Sequence, residues 1–476
     1  FETPMRLATE FAERTGAGLV VSGSVYGPGG SLRIQARVTE GATGRVLRTL
    51  EPVTASRADP MPAVETVRRL VVDAATAILL DPLTRHVDVG ARPPKYEAFR
   101  QKLAGDGLRG NLATGNAESI ERYRKAIEID PDYNAARITL ASACIGNGKY
   151  EEAAEQIDAL EQRRDTLSAA TAAMVDRARA TLRGRRDEAV LASREVVRLS
   201  PGDALSLYFL AYTAYQAERP REAVEALRRP SDRRLLLAPD NHFAWWYFHY
   251  LAASLHALGR HEEELVEARR SRVLHPDVGL PMVDEARALA ALGRVAEVDQ
   301  AVDAAMAATM RIDGYTPGTV IQYATQELRT HGQREAALAL ASRWVAWTER
   351  QPSPPGSDPA ARRRARSMLA SALLYAERWT DARDVFLELR AGQPDDVDLL
   401  VPLPWVTLYA GNRAQAARLD AELGRVTGTY LFGRPAFGRA CYAAALGKRD
   451  EAVLLLRDAL SQGFPPPEAY SPAEIL

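Results

Sequence analysis

Cysteine is almost missing from this chain: Cys144 and Cys441 are the two in 476 residues. Two thiols so far apart exclude a disulfide framework and leave the redox compartment open, and both fit small apolar positions of helices. Lysine is nearly as scarce, with five among 61 basic residues, so the positive charge is almost all arginine. With abundant alanine, glycine and proline, this reads as the codon usage of a GC-rich genome. An excess of either charge is also lacking, because 62 acidic residues bring the net charge to −1. Duplex binding needs a concentrated cationic face that displaces counterions, so the balance argues against nucleic acid as the main partner. Long hydrophobic runs are missing as well. The most apolar window, His242 to Leu258, is interrupted by His249, Ser254 and His256, and no segment reads as a membrane span. Finally, the chain has no G-x-S-x-G elbow, no Walker lysine and no kinase signature. The expectation is a chain that is not an enzyme, with no catalytic residue, no cofactor and no metal, and its localisation stays open.

What the chain does have is punctuation at regular intervals. Ala117 to Ala153 holds one whole unit: a helix closed by Asp130-Pro131, then a second closed by Gly148-Lys149-Tyr150. Pro131 lacks the N–H a helix requires, and glycine is the natural left-handed stop. The short turn recurs at Gly115, Gly148, Gly184, Glu218, Gly259, Gly293, Gly332, Glu377, Gly411 and Gly447, with gaps of 33 to 45 residues. Pro131, Pro201, Pro239, Pro276, Pro352 and Pro394 close the alternate helices. Small alanine anchors follow the turns.

A period near 34 residues of paired antiparallel helices resembles the tetratricopeptide repeat, and the resemblance covers roughly 95–468. It implies a mostly α fold, a right-handed α-solenoid of about ten helix pairs. The 45-residue gap is explained by an insertion near 351–360, Gln351-Pro-Ser-Pro-Pro-Gly-Ser-Asp-Pro359, which is expected to act as a hinge.

The first 88 residues follow a different pattern. Thr3 to Thr15 reads as an amphipathic helix, Gly18 to Tyr26 as a strand, and Gly27-Pro-Gly-Gly30 as a hairpin turn. Leu32, Ile34, Ala36 and Val38 alternate with polar residues in a second strand, Arg45 to Val53 forms a third, and Pro62 to Leu80 forms a helix. The stretches Val21-Ser-Gly-Ser-Val-Tyr26, Leu32-Arg-Ile-Gln-Ala-Arg-Val38 and Ala42-Thr-Gly44 resemble the TolB amino-terminal-like domain that precedes tetratricopeptide repeats in bacterial signalling proteins. In that family a strand precedes the first helix. Here none does, so the small α+β domain is expected to be truncated and the chain to be part of a longer protein. The resemblance implies a sensing or scaffolding region; the alternative is the regulatory C-terminal region of a serine/threonine kinase whose catalytic domain lies upstream.

Other motifs read as structural. Gly27-Pro-Gly-Gly-Ser31 precedes a strand, whereas a phosphate loop opens a helix. His261-Glu-Glu-Glu-Leu265 approaches the zinc motif H-E-x-x-H, but leucine occupies the second ligand place. Arg362-Arg-Arg-Ala-Arg366 reads as a solvated helix start. By the repeat family's geometry, the second, fifth, sixth, ninth and twelfth places of a first helix face the concave groove. Counted from Ala204 and Trp245, these places include Tyr208, Phe209, Tyr212, Tyr215, Trp246, His249, Tyr250 and His256. An aromatic groove of this kind is expected to bind a protein or peptide partner. His242, His249 and His256 recur every seven residues, about 10 Å apart along a helix and too far for joint metal ligation.

Overall fold

The computed structural model describes residues 5–27, 29–80, 94–108, 115–200, 203–229, 243–308, 315–350 and 359–464. Residues 351–358 of the hinge expected near 351–360, together with His242 and the stops Pro201, Pro239 and Pro352, lie outside the described residues. The chain divides into two compact units. One holds the described residues up to Leu182 together with Glu188–Phe209; the other holds Arg183–Asp187, Leu210–Arg229 and everything from Phe243 on.

The first unit opens with α1 (Met5–Thr15), strands β1 (Leu19–Tyr26), β2 (Ser31–Glu40), β3 (Val46–Thr49) and β4 (Val53–Ser56), and α2 (Met61–Leu80). β1 and β2 pair antiparallel from Leu19 opposite Glu40 to Tyr26 opposite Arg33, so Gly27, Gly29 and Gly30 lie in the connection of a hairpin, whose Pro28 is outside the described residues. The single third strand expected over Arg45–Val53 is two strands. β3 pairs with the far half of β2 and β4 with the near half. The interruption falls at Leu50-Glu51-Pro52: Pro52 cannot donate to a ladder, and Leu50, 2 % exposed, turns inward among Ala36, Val38, Leu47, Ala74 and Ile78. That cluster is the core between sheet and α2.

Helix pairs follow. The first unit contains α3 (Tyr96–Leu108), α4 (Gly115–Ile129), α5 (Asn134–Gly146), α6 (Tyr150–Glu161) and α7 (Ala169–Leu182), with most of α8 (Arg186–Leu199) and the start of α9 (Ala204–Gln216). In the α3–α4 pair, a Cβ on Gly105 would stand 2.6 Å from the Tyr123 ring, so glycine is what lets the two backbones approach. The second unit runs through α10 (Pro220–Arg228), α11 (Phe243–Ala257), α12 (His261–Leu274), α13 (Leu280–Ala291), α14 (Val295–Ala307), α15 (Pro317–Thr330), α16 (Arg334–Arg350), α17 (Pro359–Tyr375) and α18 (Trp379–Gly392). It ends with the short α19 (Val397–Leu400), then α20 (Leu403–Tyr409), α21 (Arg413–Leu423), α22 (Arg434–Ala445) and α23 (Arg449–Ser461). One apolar cluster runs from Leu265 on α12 to Leu423 on α21, because each pair covers its apolar side with the next. Cys144 on α5 and Cys441 on α22 are free thiols, both pushed up to about 12, chiefly by burial. Arg362, Arg363 and Arg364 are exposed on the opening turns of α17, and Arg366 pairs with Glu388.

Nine of the ten anchor residues adopt the left-handed conformation: Gly148, Gly184, Gly259, Gly293, Gly332, Gly411 and Gly447 with φ between 67° and 85°, Glu218 at 56° and Glu377 at 57°. Gly115 does not; it starts α4 directly. Arg260, Arg378 and Lys448 follow their turns at the N-cap positions of the next helices, make no side-chain capping hydrogen bond, and instead pair with Glu263 (2.6 Å), Asp381 (2.7 Å) and Glu451 (2.9 Å), three residues on. Nothing lies within 4 Å of a Cβ built at Gly148, so only the backbone resists a side chain there. Gly148→Ala is therefore expected to cost about 1 kcal/mol. Glu218→Gly relieves the same strain and is expected to gain about 0.5 kcal/mol after glycine's extra unfolded freedom is subtracted. Urea midpoints moving in the same direction for both would refute this reading of the turns.

Candidate functional site

The residues that interrupt the apolar pattern gather in the second unit, on and around α11. This helix, FAWWYFHYLAASLHA, is apolar on all sides, and everything from Tyr247 to Leu255 is buried. Trp246 and His256 are half-buried. The Trp246 ring stacks on Tyr250 (5.7 Å between centroids, 22° between planes) and meets His249 edge-on at 5.5 Å. Tyr250 in turn receives Tyr212 at 5.3 Å and Tyr215 at 5.9 Å. Of the eight expected groove residues, Tyr208, Tyr215, His249 and Tyr250 are buried, while Phe209, Tyr212, Trp246 and His256 are half-buried. Tyr208 and Phe209 belong to the first unit, where the Arg177 guanidinium sits 4.2 Å above the Phe209 ring. In the second unit, then, Tyr212, Trp246 and His256 are the expected side chains with accessible surface.

Beneath the rings lies a chain of charges. Five residues after each left-handed turn, the second helix buries a small apolar anchor: Ala153, Ala189, Ala223, Val298, Ala337, Ala382, Ala416 and Ala452 are all under 5 % exposed. After Gly259 the same place holds Glu264, fully buried. A buried carboxylate is costly unless it is paired and hydrogen-bonded, and Glu264 is both. Its Oε1 accepts from Arg287 Nε at 2.7 Å, and its Oε2 faces His256 Nδ1 at 2.9 Å and His261 Nδ1 at 3.3 Å. The reversal at Gly259 brings those two imidazoles together, 4.9 Å between ring centres. Arg287 on α13 is fully buried and also meets Asp284 Oδ1 at 3.1 Å, and Asp284 faces His249 Nδ1 at 2.9 Å. On the other side, His256 Nε2 is 3.4 Å from Glu327 Oε2 on α15, whose Oε1 lies 2.7 Å from His331 Nε2. The line from His249 to His331 thus ties α11, α12, α13 and α15 together.

The protonation states follow from this packing. Burial alone would lower His256, but the Glu264 charge and hydrogen bonds to Glu264 and Glu327 outweigh it and raise the imidazole to about 9. Burial would raise Glu264, but Arg287 and His256 hold it down at about 2. Glu327 is likewise lowered: burial is overcome by its hydrogen bond to His256 and by the nearby positive charges.

Of these residues the sequence points to His249 and His256 as site residues; Glu264 stands there inside a motif that reads as structural, and Arg287, Asp284, Glu327 and His331 belong to no motif. One signal was available. A glutamate standing in the alanine register of the repeat breaks the local rule, and such breaks collect at functional sites. Along its own helix His261 meets Leu265 at the second ligand place; the imidazole that joins it, His256, lies across the turn.

Comparison with known proteins adds the following. Residues 116–176 match the tetratricopeptide repeat. No curated protein matches the chain. Among solved structures, a tetratricopeptide repeat protein from Parabacteroides merdae is 15% identical, covers 57% of this chain and 95% of its own, and superposes with a TM-score of 0.31. A human IFIT1 dimer solved with m7Gppp-AAAA is 15% identical over 78% of each chain, with a TM-score of 0.37. The described residues contain no helix long and apolar enough to cross a membrane. The protein carries a tetratricopeptide repeat at residues 116–176, and its fold is a mostly helical α-solenoid preceded by a small α+β domain.

Proposed function

We propose that this chain is a non-catalytic interaction scaffold of a bacterial signalling protein, with residues 1–88 as a TolB amino-terminal-like domain and 95–468 as the repeat array. The array holds an extended peptide or a segment of a partner protein along its first helices. The observation that supports this best is the row of rings in the second unit. Trp246 and Tyr212 keep accessible surface while Tyr250, buried between them, fixes both in place. Rings held in this way offer large contact area with little side-chain entropy left to lose, as residues that dominate binding do. The helix–sheet–helix order before the repeats supports the signalling context.

The test pans the full chain against a random peptide library. Enriched peptides are expected to bind, and Trp246→Ala is expected to weaken them at least about tenfold while the far-ultraviolet circular dichroism stays unchanged. A library that yields no binder, or peptides that bind Trp246→Ala as well as the parent, would overturn the proposal.

A further inference from the structure

We propose that His256, His261 and Glu264 form a binding site for a divalent first-row transition cation, zinc foremost, with the two Nδ1 atoms and Glu264 Oε2 as ligands. The inference stands apart from peptide binding, since it rests on the charge chain beneath the rings.

Four observations carry it. The first is distance. One ligand atom from each of the three residues lies within 4.8 Å of the others, and Glu264 Oε2 is already 2.9 Å and 3.3 Å from the two nitrogens. A tetrahedral ion with bonds of about 2.0–2.2 Å sets its ligand atoms roughly 3.3 Å apart, so small side-chain shifts suffice.

The second is orientation. Glu264 Oε1 is taken by Arg287 Nε, which aims Oε2 at the imidazoles. His256 Nε2 faces Glu327, 3.4 Å away, so with Nδ1 on the metal, Nε2–H would donate to a carboxylate. That is the carboxylate–histidine arrangement which fixes tautomer and basicity in metal sites.

The third is charge. With neutral imidazoles, the three carboxylates of Asp284, Glu264 and Glu327 against the one guanidinium of Arg287 leave two negative charges among these residues. A divalent cation cancels them.

The fourth is register. Glu264 occupies the place where the other eight turns set alanine or valine, so packing of the repeat does not account for a carboxylate there.

Three protein ligands leave a fourth position for water, and the half-buried rings of His256 and His261 leave a way in. The composition, two histidines and one carboxylate, suits zinc and other ions of the borderline class. The competing account is an ion-pair network in which a proton on His256 does for the carboxylates what the cation would do.

The test uses the full chain, free of any histidine tag and stripped with a chelator. Zinc is titrated by calorimetry and cobalt(II) by its visible ligand-field absorption. One equivalent is expected to bind with a dissociation constant of about a micromolar or lower, giving the cobalt spectrum of a four- or five-coordinate site. His261→Gln, on the half-buried first residue of α12, is expected to keep the helical signal and to weaken zinc about a hundredfold; His256→Gln removes a second ligand independently. Binding that is weaker than about a micromolar in the parent, or that survives unchanged in a folded His261→Gln or His256→Gln protein, would assign the cluster to the ion-pair account and overturn the site.

Discussion

Replacing Arg287 with methionine is expected to destabilise the protein by about 3–5 kcal/mol, the cost of breaking a buried ion pair from one side. Methionine fills much of the same volume, so packing is kept and the electrostatic loss is isolated. The guanidinium is fully buried and holds two carboxylates, Glu264 through Nε at 2.7 Å and Asp284 through Nη2 at 3.1 Å. Without it, among the described residues, Glu264 keeps the imidazoles and Asp284 keeps His249. Urea unfolding of the metal-free protein measures the change. Adding Glu264→Gln to Arg287→Met is expected to return part of the loss, because the amide needs no counter-charge. If the single substitution costs less than about 1 kcal/mol, an amount ordinary for a surface change, then solvent reaches the cluster and Arg287 does not neutralise it.

Trp344→Ala is expected to cost a similar 3–5 kcal/mol, by a different mechanism. Trp344 on α16 is 1 % exposed and lies near-parallel to Tyr375, with 6.1 Å between ring centres. The packing around it is tight: a Cβ built on Gly318 would stand 3.0 Å from its Nε1 and 2.8 Å from Met368 Sδ. Its indole N–H makes no hydrogen bond among the described residues. Trp344→Phe therefore loses volume without stranding a partner and is expected to cost markedly less than Trp344→Ala. Equal melting temperatures for the two variants would show that the site collapses around any substitution.

The architecture was legible because it is written in local terms. A left-handed stop needs glycine, or accepts strain in Glu218 and Glu377, and the anchors could be counted from spacing alone. The hairpin of β1 and β2 was equally local, with Gly27 to Gly30 between two alternating runs. The third strand was less so. Its alternation runs through Val46 and Leu47, but whether Leu50 pairs outward or packs inward depends on Ala74 and Ile78, far along α2.

The charge chain was the least legible part. His256 and His261 are five residues apart, yet they meet only because the turn at Gly259 folds one helix back beside the next. Arg287 and Glu327 reach them from α13 and α15, through packing that no local pattern encodes. Glu264 could have been singled out by aligning the turns with one another, since it alone carries charge at the buried anchor place. The ring positions carried the opposite difficulty. Their helix and register were readable, but burial separates Tyr250 from Trp246, four residues away on the same helix, and only the stacked neighbours decide that.

The turns at Gly148, Gly259, Gly332, Gly411 and Gly447 have a consequence for how such a chain changes length. At each of them the backbone makes the same left-handed reversal, and nothing packs within 4 Å of the place a side chain would take. Each junction therefore works without help from its surroundings. A crossover between two such points in a gene would remove or duplicate a whole number of helix pairs, and the joined halves would meet in the conformation both already had. The buried anchor five residues on would still face the helix before it. Glu264 is the exception. Its counter-charges come from Arg287 on one side and His256 on the other, so an exchange that parted it from either neighbour would leave a charge in the core. An exchange that keeps the core neutral would therefore have to carry α11 to α15 together, whereas the pairs outside carry no such charge at the anchor place.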